Sequence, residues 1–337
     1  MSLLYHLMIP RPDVPALDAV VQEVESLQSR FGGERVYLNP AHRPGSLYPE
    51  RLYGLHRLPY LRRQEATVRL HHVYNSHLFF FPYLRWLRRP IVYSVTTGLG
   101  SWSGRVDLKK VGRLAAIVVS NERDRATLRD GGVENVRVVR PGIDTSRFGP
   151  SPPPSVSGFR LLAGSSPWTE AQFRSKGVEA LLAAARARPD LRLIFLWRGL
   201  LVEEMQARVA GWGLHGRVEV INRRVDVNEV LTGVHAAVVL ASDATLVKAF
   251  PHSLLESLAA GRPVLVSRTL PMADYVEQTG CGEVVDTVSF EGVLAALARL
   301  EARYKACRAA ALGVGQQDFS RQALVETWGR LYKEMGG

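Results

Sequence analysis

Cysteine is nearly missing from this chain: Cys281 and Cys307 are the two present in 337 residues. They show no metal-ligand spacing, and so few thiols leave no basis for a disulfide framework, which makes a reducing compartment the simplest setting. Long apolar runs are also missing, and none approaches the roughly 20 residues needed to span a bilayer. The opening MSLLYHLMIP is apolar but lacks a positive leading region, and Pro10, Arg11 and Pro12 interrupt it too early for a signal peptide. These absences lead to the expectation of a cytoplasmic protein, either soluble or peripheral at the inner face of the membrane. Acidic side chains are scarce in one part only. Residues 1–158 carry 22 Lys and Arg against 13 Asp and Glu, whereas the remainder has 21 against 19, within a total net charge of +11. Such asymmetry fits an anionic partner for the first part, whether a membrane surface, an acidic acceptor or nucleic acid, or else an arginine-rich surface that is merely solvated. Nucleic acid has only the charge in its favour, because no recognition motif accompanies it.

What is present is ordinary globular composition, 46% hydrophobic and 22% charged, at a length that accommodates two domains. One low-complexity stretch, GPSPPPSVSG at 149–158, favours extended backbone and reads as a linker. On either side of it, apolar strand-like runs alternate with helical patterns, the signature of doubly wound α/β domains. The strands are expected at 3–8, 35–38, 69–73, 91–95, 115–120 and 136–140, then at 159–163, 192–197, 218–221, 236–240, 264–267 and 282–285. Helices are expected at 16–30, 79–87, 108–114 and 121–130, then at 177–187, 202–211, 227–234, 253–260 and 272–278. A helical tail runs from Phe290 to Met335 with an interruption at 313–317. The natural architecture is two Rossmann-like domains facing each other across a cleft.

The most informative stretch is KAFPHSLLESLAAGRPV, Lys248 to Val264. A helix starting just after a strand presents unpaired backbone N–H groups and a positive dipole end, which suit a diphosphate. Ser253 stands where a cap belongs, and Glu256 three residues later completes the spacing of a capping box. The residues alone leave Glu256 open between cap and ligand.

This stretch resembles the donor-site signature of retaining GT-B glycosyltransferases of family 4, in which two glutamates separated by seven residues precede A-x-G-x-P-V. The resemblance places the ribose-binding glutamate on Glu256 and sets the helix N-terminus, Ser253, Leu254 and Leu255, against the diphosphate. The first glutamate falls on Lys248, a departure where the family contacts the donor sugar. A lysine there favours a donor carrying a negative group such as a uronic acid. The segments AAIVVSNERDRATL, 115–128, and RVVRPGIDTSRFGP, 137–150, are similar to the end of the family's first domain, with Gly142 and Asp144 in a hinge turn.

After the strand at 159–163, the family carries an arginine and then Lys-Gly, which hold the departing diphosphate. Lys176 and Gly177 match; Ser165 replaces the arginine, and Arg174 is the substitute cation. A lysine at a helix start opposes the dipole, which favours function over a surface role. Arg198, after the strand at 192–197, serves either phosphate and base or a structural ion pair. Val225 corresponds to a backbone contact with the base. Thr96 replaces a sugar-contacting histidine, beside Thr97. The loop PRPDVP, 10–15, lacks the family's glycines, leaving Arg11 to contact a ligand or, as the commoner case, to be solvated.

The run HHVYNSHLFFFPYLRWLRR, 71–89, contains three histidines, but His71 and His72 adjoin on a strand and point to opposite faces, so no metal site is expected. Its aromatic and basic part reads either as a buried helix, the favoured alternative, or as a segment lying on an anionic membrane.

The resemblance implies a GT-B protein divided into an acceptor-side domain (1–148), the linker (149–158), a donor domain (159–318) and a C-terminal helix (319–337) that crosses back to the first domain or stays on its own. It implies a retaining transferase that moves a sugar from a UDP- or GDP-type nucleotide sugar to a hydroxyl acceptor: a glycan, a lipid-linked molecule or a small molecule. No permanently bound cofactor and no metal are implied. Two alternatives stand: a sugar-nucleotide epimerase of the same fold, and an inactive basic binding protein, which the Lys248, Ser165 and Thr96 departures keep open.

Overall fold

The computed structural model describes residues 2–15, 18–40, 49–101, 108–197 and 200–336. The chain forms two compact units, one made of Met1–Gly142 with Arg321–Gly337 and the other of Ile143–Ser320. The first unit contains strands β1 (Leu3–Leu7), β2 (Glu34–Tyr37), β3 (Leu70–Asn75), β4 (Ile91–Val95), β5 (Ala116–Val119) and β6 (Val136–Val138), with helices α1 (Ala19–Phe31), α2 (Leu58–Gln64), α3 (Leu108–Val111) and α4 (Glu122–Asp130). The second contains β7 (Phe159–Ala163), β8 (Leu191–Leu196), β9 (Val218–Ile221), β10 (Ala236–Val239), β11 (Val264–Ser267) and β12 (Gly282–Val285). Its helices are α5 (Ala171–Ser175), α6 (Val178–Ala187), α7 (Val202–Gly211), α8 (Val227–Thr232), α9 (His252–Ala259), α10 (Met272–Thr279), α11 (Phe290–Ala302) and α12 (Tyr304–Gln317). A last helix, α13 (Arg321–Gly336), belongs to the first unit.

Each unit is built on a six-stranded parallel sheet, ordered β2-β1-β3-β4-β5-β6 and β12-β11-β10-β7-β8-β9. Strands covered on both faces read as continuous apolar runs, and β4, β5, β10 and β11 are buried along their whole length. This is the GT-B fold: two parallel sheets with flanking helices.

In the first unit, His71 and His72 bury on opposite faces of the sheet. On one face His6 Nδ1 bonds the Tyr83 hydroxyl at 2.9 Å and His6 Nε2 bonds His71 Nδ1 at 3.0 Å. On the other, His72 bonds the Tyr332 hydroxyl at 2.6 Å and Ser94 Oγ at 2.8 Å. Tyr332 lies on α13, whose Trp328, 1% exposed, donates from Nε1 to Glu23 on α1 at 3.2 Å. The C-terminal helix is therefore anchored on the first unit by apolar and polar contacts together.

Three expected elements need correction. The helix expected at 79–87 is a single 3-10 turn, Pro82–Trp86. Pro82 sets its start, and beyond its end the buried Glu65 carboxylate accepts the backbone N–H groups of Arg88 and Arg89, which the next helical turn would need. Phe81, Tyr83 and Leu84 point into the core, while Arg85 and Trp86 are exposed.

The tail breaks at Arg303 and at 318–320, and not at 313–317. Gly315 lies inside α12, where a Cβ would sit 2.2 Å from the backbone carbon of Leu258; it marks the close approach of α12 to α9. Gly142 does not take a positive φ, so the turn it occupies does not depend on glycine.

The proline-rich 149–158 segment is held to the second unit. Arg262, wholly buried, donates from Nη2 to Ser151 Oγ at 2.6 Å and to the Pro152 carbonyl at 2.9 Å, and from Nε to the Leu231 carbonyl at 2.9 Å. Among the described residues, no helix is long and apolar enough to cross a membrane.

Candidate functional site

In the second sheet the chain starts at β7, runs outward through β8 and β9, then returns to β10 on the other side. The point between β7 and β10 is a topological switch, where the loops leaving the carboxyl ends of two adjacent strands diverge and leave a crevice. The loop after β7 carries Gly164 to Glu170, and the loop after β10 leads to α9.

These two loops are fixed against each other. A Cβ on Gly164 would lie 2.7 Å from Ser253 Cβ, so β7 ends in contact with the first turn of α9. The Ser175 carbonyl accepts the N–H of Ser242 at 2.8 Å. Gly177, at φ +69°, lies where a Cβ would come 2.7 Å from Leu240 Cβ, so this position needs glycine for both conformation and space.

Lys176, between these anchors, is buried at 8% exposure. Its Nζ donates to the Ser166 carbonyl at 3.0 Å, and among the described residues it has no carboxylate partner. Burial holds its pKa below the usual lysine value. A desolvated cation without a counter-ion, at the mouth of a crevice, is poised for an anion. Arg174 is exposed in the last turn of α5. The cation that fixes this loop is instead Arg208, which stacks 3.8 Å above the Phe173 ring and pairs with Glu170 at 2.5 Å.

The capping box does not form. Pro251 is the N-cap of α9 and no side chain caps the helix, so Ser253 falls inside the first turn and Glu256 in the second. Proline ahead of the first turn fixes the entry angle and leaves the N-terminus open. The N–H groups of Leu254 and Leu255 reach the Pro251 carbonyl at 3.0 and 3.3 Å, and both side chains are fully buried. The donors at the mouth are accordingly the N–H groups of His252 and Ser253, which have no partner among the described residues. Glu256 is half-buried one turn further along.

His252 was not legible as a site residue. Burial, and next the charge of Lys248, push its imidazole down to about 4, so it is neutral at physiological pH. Its four-residue spacing to Glu256 on the same helix is the signal that could have singled it out.

Val225 lies in the loop between β9 and α8, just ahead of Asp226, which caps α8 through Oδ1 at 2.9 Å from the Asn228 N–H. Arg198 lies outside the described residues. On the first unit Thr96 follows β4, and its hydroxyl donates to the Asn75 carbonyl at 3.2 Å while its N–H reaches the same oxygen at 2.8 Å. Arg11 rests over the Tyr37 ring at 5.9 Å.

Residues 171–311 match the family model described as "Glycosyl transferases group 1". No curated protein matches the sequence. Among solved structures, the chain is similar to Alr3699/HepE of Anabaena in complex with UDP, at 13% identity and a TM-score of 0.75, covering 99% of this chain and 100% of that one. It is similar to sucrose-phosphate synthase of Thermosynechococcus elongatus at 15% identity and a TM-score of 0.73, covering 99% of each chain. A glycosyltransferase of Rickettsia africae is similar at 11% identity and a TM-score of 0.75, covering 99% of this chain and 98% of that one. At these identities the likeness carries the fold.

Proposed function

We propose that the protein is a retaining, family 4-like glycosyltransferase that moves a sugar from a nucleoside-diphosphate sugar to a hydroxyl acceptor, with the donor on the second unit. The observation that carries this reading is the pair of loops that leave β7 and β10, held in contact through Gly164 and Ser253: one leads to the buried Lys176, which has no carboxylate partner among the described residues, and the other to the uncapped start of α9, two positive groups suited to one anion. The group 1 match supports it, as does the solved Anabaena relative, which binds UDP and UDP-glucose.

In the reaction, the bond from the anomeric carbon to the phosphate oxygen breaks with its electron pair leaving on the diphosphate. The acceptor oxygen bonds to the same carbon from the same face, and its proton passes to the departing phosphate oxygen. Lys176, the His252 and Ser253 N–H groups and the exposed Arg174 stabilise the charge that develops. Glu256 holds the ribose hydroxyls, and Val225 and Arg198 serve the base and phosphate. Lys248 faces the donor sugar and selects one with a carboxylate, a preference that equal or faster turnover of a neutral donor would refute. The Thr96 hydroxyl, which donates to Asn75, offers the sugar an acceptor lone pair. The enzyme works in the cytoplasm on a glycan, lipid-linked or small-molecule acceptor.

The test is a thermal-shift screen of UDP, GDP, ADP and their sugar conjugates, with Glu256→Ala alongside. Stabilisation by one nucleotide that the substitution abolishes is expected. Stabilisation by none of them favours the inactive binding protein, and in a separate turnover assay release of free nucleotide only when an acceptor is present argues against an epimerase.

A further inference from the structure

Helix α2 and the second half of the 71–89 run, which flank β3 in the chain, are brought together on the first unit. Arg62 on α2 donates from Nη1 to the Trp86 carbonyl at 2.6 Å and approaches Glu65 Oε2 at 3.6 Å. Glu65 accepts the Arg88 and Arg89 N–H groups, and its own carbonyl accepts Arg89 Nε at 3.4 Å. One buried carboxylate thus gathers the end of α2 and the 85–89 segment, and with them Arg62, Arg63, Arg85, Arg88 and Arg89.

Four of these, Arg63, Arg85, Arg88 and Arg89, are exposed. Glu65 is 7% exposed and occupied by backbone donors, and the other carboxylate near α2, Glu34, bonds the Tyr60 hydroxyl at 3.2 Å. Among the described residues, none of the four exposed arginines forms an ion pair, and the ion pair in the cluster is Arg62 with Glu65 at 3.6 Å. In its midst Trp86 is 46% exposed, next to half-buried Leu87. A solvated arginine cluster has no use for an exposed indole, and single-stranded nucleic acid binds through successive aromatic platforms along a basic groove, whereas among the described residues of this patch Trp86 is the one exposed large apolar side chain. An indole among arginines matches the headgroup layer of an anionic bilayer, where the ring sits at the interface and the guanidinium groups meet lipid phosphates.

We propose that α2 and the 85–89 segment form a docking surface for an anionic membrane. This deepens the reading of the basic first unit as the side that meets an anionic partner, and it places the enzyme where a lipid-linked acceptor is presented.

The experiment is co-sedimentation of the full chain with vesicles of phosphatidylcholine alone and with added phosphatidylglycerol, at low and high salt. The chain is expected to bind the anionic vesicles, to release them in high salt and to ignore neutral ones. Arg63→Ala with Arg88→Ala lowers binding about thirtyfold, and Trp86→Ala removes a blue shift in fluorescence on vesicle addition. Arg186→Ala with Lys305→Ala, two exposed cations of the second unit, leaves binding intact. Absence of anionic-vesicle binding, equal loss in both pairs of substitutions, or patch-dependent binding to RNA in place of vesicles overturns the proposal. Nucleotide thermal shifts on the same samples report the donor site separately, so failure of the membrane surface and failure of the transferase reading are told apart.

Discussion

Gly164, which follows β7, touches Ser253 in the first turn of α9 so closely that an added Cβ would lie 2.7 Å from the serine Cβ and 2.8 Å from its Oγ. The contact sets how near the helix start comes to the strand end, and so sets the width of the crevice. It also fixes the position of the loop that carries Ser166, the acceptor of the Lys176 ammonium.

Gly164→Ala is expected to destabilise the protein by about 1–3 kcal/mol through overpacking and to weaken nucleoside-diphosphate binding. Ser253→Gly on the same chain removes the opposing Cβ and is expected to restore most of the stability. Denaturant unfolding of the two single variants and the double variant measures this. If the effects simply add, the close contact is not what limits this position.

Lys176→Met separates function from stability. The methionine keeps the apolar stem and removes a charge that burial disfavours, so the unfolding midpoint without ligand should stay or rise. Affinity for UDP or GDP should fall by about 1.5–3 kcal/mol, the range for a lost charged hydrogen bond. Titration calorimetry decides it, and wild-type affinity in the variant would remove Lys176 from the diphosphate site.

Most of the sheet framework was legible because strands buried on both faces write themselves as apolar runs. The runs at 91–95, 159–163, 264–267 and 282–285 fold as strands over those same residues, as does the partly buried edge strand at 218–221. Elements whose form depends on distant partners were not legible. Glu65 captures the N–H groups of Arg88 and Arg89, and a 3-10 turn stands where the apolar period suggested a helix. Gly315 reads locally as a breaker, yet it is the contact point between α12 and α9. At the site, Lys176 was legible through the Lys-Gly match, but the dipole argument for it does not hold: it caps the C-terminal end of α5, where a cation is favoured, one residue before the Gly177 N-cap of α6. The uncapped opening of α9 was hidden, because Ser253 and Glu256 imitate a capping box whose place Pro251 takes.

Tyr332→Phe tests the anchoring of α13. The substitution removes the hydroxyl that meets the His72 ring nitrogen at 2.6 Å and leaves that buried nitrogen without it, a cost of about 1–3 kcal/mol. Trp328→Ala should cost more, about 3–5 kcal/mol, because it also empties a fully packed position. Urea unfolding gives both values. A Trp328→Ala protein as stable as wild type would mean that α13 is not held by this core.

The buried histidines make the first unit acid-sensitive. Burial, followed by the charges of the neighbouring histidines, holds His6 well below the ordinary value of 6.5; burial alone does so for His72. For His71 burial also outweighs the opposing pull of Glu65. Each is therefore neutral in the folded protein, whereas in the unfolded chain each takes a proton as pH falls through about 6.5. The unfolded state then binds more protons, and stability is lost as pH drops below that value. The slope is up to about 1.4 kcal/mol per pH unit for each histidine. His252 adds the same sign in the second unit between 6.5 and about 4. Thermal unfolding from pH 7.5 to pH 5 should show a falling midpoint that begins near 6.5, well above the range in which carboxylates titrate. A midpoint flat across that interval would mean that these rings are charged or solvated in the folded protein.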